Sequence, residues 1–166
     1  SMPPYQNYEN FVSEIIQWGM VLVDRDGQIL ETHNEFIKPT LFKELTSRTK
    51  KFLHISQETI DSGISYHEFY RIFERIIKTL RPMIVVWGQN DIIEIKKSSI
   101  MHQLPDLTRN VQFIDLLKLH KHYFGLKNDL GLFNAYKAYT GLDPVEQAHD
   151  AFEDAMMTKS IFEYFK

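Results

Sequence analysis

Four side chains near the ends of apolar runs are of the types that accept protons or bind cations: Asp91, Asp115, His149 and Asp154. An imidazole titrates near neutrality, and carboxylate oxygens suit hard divalent ions. His149 and Asp154 share the stretch His149-Asp150-Ala151-Phe152-Glu153-Asp154-Ala155. Taken alone, a histidine before a helix and a carboxylate within it more often make a cap and a solvated charge. The small Ala151 and Ala155 beside Asp154 add something, because they let a helix approach a sheet closely. Asp91 closes Trp87-Gly88-Gln89-Asn90-Asp91, and Asp115 directly follows residues 111–114. Each stands where an apolar strand meets a helix, the end of an α/β sheet at which functional side chains collect. Each also reads as a plain helix cap. The chain has no cysteine, which excludes disulfides, zinc–thiolate sites and cysteine nucleophiles.

These residues need elements to position them. Residues 15–23 form a nearly continuous apolar run, as expected of a strand covered on both sides. Asp26-Gly27 turns the chain, and the more polar, alternating residues 28–37 return as an outer strand that Pro39 ends. Residues 41–62 mix helical and loop signals. Ser65-Tyr66-His67-Glu68 is a capping box that opens a helix with the apolar stripe Phe69, Ile72, Phe73, Ile76, Ile77 and Leu80. Pro82 stops it, residues 83–87 form a short apolar strand, and a helix follows over 91–102. A strand at 111–114 precedes helices at 116–123 and 130–139, the second closed by Gly141. The last helix spans roughly 148–165, with His149 at or before its start and Asp154 more than one turn inside. The order predicts a single α/β domain, residues 1–166, with a mixed sheet flanked by helices.

In that order the segments resemble a known family, the DEDDh 3′ to 5′ exonucleases of the RNase T and DnaQ-like group. Glu14-Ile15-Ile16-Gln17-Trp18-Gly19-Met20-Val21-Leu22-Val23 resembles the E-I-I-x-x-G-x-V strand, and Phe36-Ile37-Lys38-Pro39 the F-V-x-P end of its hairpin. Phe52-Leu53-His54-Ile55-Ser56-Gln57 is similar to the L-T-G-I-T element that follows, with His54 where glycine is usual. Val86-Trp87-Gly88-Gln89-Asn90-Asp91 resembles the second exonuclease motif, and His149 with Asp154 the third, H-x4-D. The nearest flavour is the sporulation-inhibitor-type and ERI-like branch. The resemblance implies a ribonuclease H-like fold and hydrolysis of phosphodiester bonds at the 3′ ends of single-stranded nucleic acid, RNA favoured over DNA. It implies two divalent cations, Mg²⁺ or Mn²⁺, with Asp154 a direct ligand and Asp91 a contributor to the same cluster. His149 is then the general base, and Trp87 is placed to stack on a terminal base, with packing in the core as its alternative.

One departure is large. Members of the family begin with a central apolar strand ending in D-x-E, and nothing before Glu14 can fill it. The expectation is that this strand lies upstream of Ser1, and that the 166-residue chain alone is inactive. A catalytically silent nucleic-acid-binding or protein-interaction module on the same fold is the competing reading.

The net charge of −3 argues against a broad basic face, so contact with nucleic acid must be local. Lys50-Lys51, Lys96-Lys97 and Lys118 to Lys121 are short basic clusters that read first as solvated helix faces. No run approaches the roughly 20 apolar residues that span a bilayer, and no secretory leader is visible, so a cytoplasmic setting without membrane contact is expected.

Overall fold

The computed structural model describes residues 14–41, 43–144 and 150–166. Its elements are β1 (Gln17–Val23), β2 (Ile29–Phe36), α1 (Ser47–Leu53), α2 (Gln57–Asp61), α3 (Tyr66–Leu80), β3 (Ile84–Val86), α4 (Asn90–Met101), β4 (Phe113–Asp115), α5 (Leu116–Phe124), α6 (Leu132–Thr140) and α7 (Ala151–Phe162), with a final 3-10 turn at Glu163–Phe165. Every strand and helix expected from the sequence is present among the described residues. The mixed region at 41–62 resolves into two short helices, each opened by a hydroxyl cap: Thr46 Oγ1 accepts from Thr49 N, and Ser56 Oγ from Thr59 N.

β1 and β2 pair across a turn in which the Asp24 carboxylate accepts from the backbone N of Asp26 and Gln28, both at 2.9 Å. β3 and β4 form a second, parallel pair in the register Ile84↔Phe113, Val85↔Ile114, Val86↔Asp115. Among the described residues these are two separate two-stranded sheets.

The chain divides into two compact units, each assembled from segments distant in sequence. The first contains residues 35–81 and 92–109 with the start of β1. Its organiser is α3, where Ser65 Oγ accepts from Glu68 N as the capping box predicts. The stripe Phe69, Phe73 and Ile76 is buried together with Trp18, Ile37 and Ile60. Each such side chain contributes about 1.5–3 kcal/mol, well above helix propensity differences, so packing rather than propensity holds α3 in place.

The second unit holds residues 19–34, 82–91 and everything from 110 onward, and it carries the candidate site. Leu116, Ala135 and Ile161, one each from α5, α6 and α7, are fully buried at its centre. Val85 and Trp87 of the β3 segment and Leu130, Leu132, Tyr139 and Phe162 pack against them. The end of β3, the first turn of α5 and the last turn of α7 are thereby tied to a common apolar core.

Candidate active site

The last helix starts later than its sequence suggests. Asp150 is extended and caps α7, its carboxylate accepting from Glu153 N at 3.0 Å, and Asp154 N donates to Asp150 O at 2.9 Å. Asp154 therefore sits at the first position whose amide is paired inside the helix, where an ordinary carboxylate would benefit from the helix dipole. His149 lies outside the described residues.

What aims Asp154 is a contact between α7 and β1. A Cβ built on Gly19 would stand 2.2 Å from the backbone of Ala151 and Phe152. No residue other than glycine allows strand and helix to meet at this distance, so Gly19 sets where the first turn of α7 lies. The small Ala151 is the helix side of the contact.

Asp91 occupies the first turn of α4, one residue beyond its start, and is exposed. The loop that delivers it is clamped. Gly88 takes φ of +90°, a left-handed conformation that suits glycine, and its N–H donates to Asp115 Oδ1 at 3.1 Å. The same oxygen accepts from Lys118 N at 3.2 Å, so Asp115 caps α5 and ties down the β3–α4 loop at once. Trp87 is half-buried, its Nε1 donating to Leu130 O at 3.0 Å and its ring lying against the core.

The electrostatics mark Asp154. Its pKa is raised from 3.8 to about 6, first by burial and then by the charges of Asp150, Asp91 and Glu153. Asp154 and Asp91, far apart in sequence, thus come near enough to feel each other, and Asp115 holds the loop that carries Asp91. A half-buried carboxylate crowded by others is an environment that a cation relieves. The donor chemistry fits a hard divalent ion, but the described residues contain no group of three His, Cys, Asp or Glu side chains able to hold a metal ion.

Sequence reasoning missed three features. Asp150 both caps α7 and raises Asp154, and the Asp-x-x-Glu spacing to Glu153 was its visible signal. Gly19 had no signal of close approach beyond its identity. The third is buried His120 on α5, whose Nδ1 is 2.7 Å from Tyr139 Oη and whose Nε2 has no partner.

Comparison with known proteins shows the family and the fold. Residues 9–162 match the RNase T exonuclease family model, and the chain belongs to that family, the DEDDh-type 3′ to 5′ exonucleases. It is 29% identical over 154 residues to the probable 3′-5′ exonuclease KapD of Bacillus subtilis, covering 93% of this chain and 74% of the relative. It is 27% identical to the 3′-5′ exonuclease crn-4 of Caenorhabditis elegans, over 93% of this chain and 57% of that one. Among solved structures, the nuclease domain of 3'hExo, a DEDDh family member bound to rAMP, superposes with a TM-score of 0.82 at 16% identity, covering 96% of this chain and 84% of that one. A 3′-exonuclease structure described as showing 3′-end-specific recognition of histone mRNA stem-loop gives a TM-score of 0.80 at 15% identity, covering 96% and 75%. The fold is the mixed α/β, ribonuclease H-like exonuclease fold. No helix among the described residues is long and apolar enough to cross a membrane.

Proposed function

We propose that the protein hydrolyses phosphodiester bonds at the 3′ ends of single-stranded nucleic acid, RNA in preference to DNA, with the help of Mg²⁺ or Mn²⁺. The observation that carries this reading is the match of residues 9–162 to the exonuclease family, and the crowding of half-buried Asp154 by the charges of Asp150 and Asp91 agrees with it. Asp154 and Asp91 are the ligands, and two bound cations would neutralise the scissile phosphate and lower the pKa of an attacking water. His149 takes the proton from that water. Gly19 and Asp115 act at one remove, the first by seating α7 and the second by holding the loop that carries Asp91. Trp87 borders that loop, and any stacking on a terminal base would use ring surface left beside its core contacts.

The preference for RNA draws on the two solved neighbours whose descriptions name rAMP and histone mRNA. With no D-x-E pair ahead of Glu14, the 166-residue chain tested alone is expected to turn over weakly or not at all.

Mn²⁺-dependent release of 3′ nucleotides from single-stranded RNA and DNA tests the reading, run on this chain and on the full-length protein where its gene encodes a longer one. Activity of the full-length form that vanishes in His149→Ala and Asp154→Ala supports it; retention of activity in either variant removes that residue's role. The competing reading is a module on the same fold that binds 3′ ends without cleaving them. Binding without turnover by the full-length protein would select it.

A further inference from the structure

The last turn of α5 and the C-terminal turn present rings that the candidate site does not use. Tyr123 is 75% exposed, Tyr164 59% and Phe124 53%. They belong to one cluster: Tyr123 meets Phe124 at 5.0 Å and Phe165 at 6.2 Å, and Phe165 and Tyr164 both meet Tyr139, at 5.8 and 5.5 Å. The Tyr123 contacts are edge-on, at 78° and 82°. Such contacts anchor a ring while leaving much of its surface in water, an arrangement that is costly unless something covers it.

Charge says what covers it. From Leu116 to Asn128 the chain carries Lys118, Lys121, His122 and Lys127 and no acidic residue, although the whole protein is net −3. Lys121 pairs with Asp129, whereas Lys118 and Lys127 form no ion pair among the described residues. The sign of the protein is locally reversed around exposed rings. A second copy docking through this face would set like charges against each other, and an uncharged peptide would leave the lysines unmatched.

We propose that this face is a platform for single-stranded nucleic acid, with unpaired bases stacking on Tyr123, Phe124 and Tyr164 while Lys127 meets a phosphate. Stacking tolerates any base, and lysines supply the salt-dependent part of the affinity. α5 begins directly after Asp115, so Tyr123 lies about 12 Å along the helix from the clamp, at a rise of about 1.5 Å per residue. At a stacked spacing of about 3.4 Å that is three to four nucleotides. If the 3′ end sits as proposed above, the platform takes nucleotides behind it. The platform itself does not rest on that reading.

Fluorescence anisotropy of a labelled ten-nucleotide single-stranded oligonucleotide, with EDTA present so that no hydrolysis occurs, is the test. Tyr123→Ala and Tyr164→Ala should each weaken binding between about fivefold and a hundredfold. Tyr123→Phe, which keeps the ring, should bind like the wild type. Lys127→Glu should lower the slope of log affinity against log salt by about one. Wild-type affinity in both alanine variants, with unchanged thermal melts, would overturn the proposal, as would absence of wild-type binding. So would a dimer seen by sedimentation that Tyr123→Ala dissolves. A missing nuclease activity with intact, ring-dependent binding would count against the proposed function alone.

Discussion

Asp154 and His120 are both titratable side chains withdrawn from water within one unit, and burial acts on them in opposite senses. Asp154 is pushed up to about 6, and three neighbouring carboxylates deepen the effect. His120, 5% exposed, is pushed below its ordinary value by burial alone, and its surroundings are the rings of Trp87, Phe124 and Tyr139. The imidazole is neutral and needs no counterion. The carboxylate is crowded by its own kind, and no folding advantage explains that. An arrangement that costs stability and persists is expected where a ligand repays it, so the comparison separates a working site from a packed core histidine.

The largest effects should come from breaking the working side. In the full-length protein, His149→Ala should reduce Mn²⁺-dependent nucleotide release by about 10²- to 10⁴-fold, the range for a lost general base. Asp154→Ala should do at least as much, whereas His120→Leu should leave the rate within a few-fold. If His120→Leu fell as far as Asp154→Ala while remaining folded, the distinction drawn above would be wrong.

Next in size is the scaffold beneath Asp154. Gly19→Ala forces a methyl into the Ala151 backbone and should cost about 3 kcal/mol or more in urea unfolding. Asp115→Ala, which frees the Gly88 N–H and uncaps α5, should cost about 1–2 kcal/mol. A chain indifferent to Gly19→Ala would mean that α7 is not seated by β1.

The legibility of these features in the sequence was uneven for physical reasons. Hydrophobic period and capping chemistry are local, so α3 with its Ser65 box, the turn at Gly27 and the apolar β3 could be read directly. The pairing of Asp91 with Asp154 is not local, and it became readable only through the ordered resemblance to a family. The first turn of α7 was placed two to three residues early because Asp150 was read as part of the helix rather than its cap. Contacts such as Gly19 on Ala151, or Asp115 on Gly88, depend on two backbones meeting. A glycine or aspartate looks the same in sequence whether or not such a partner exists.

The smallest effect, and the sharpest on the comparison, is the pH dependence of stability. Asp154 binds its proton more tightly when folded than when unfolded, so its contribution is fully present below about pH 3.8 and is lost as pH rises towards 6. His120 binds its proton less tightly when folded, so it costs stability as pH falls below 6.5. Between pH 6 and 4 the two oppose each other. Asp154→Asn should therefore stabilise the metal-free protein at pH 7 by about 1–2 kcal/mol, a shift of two units at 1.36 kcal/mol each reduced for solvent screening. The gain should vanish near pH 4, and the variant should lose stability more steeply on acidification than the wild type. His120→Leu should flatten that loss. Urea midpoints of the wild type and both variants at pH 4, 5.5 and 7 decide the matter. A pH-independent gain in Asp154→Asn would mean that repacking, rather than relief of a crowded charge, produced it. Adding Mn²⁺ at pH 7 should then stabilise the wild type and not Asp154→Asn, because the ion relieves what the substitution has already removed.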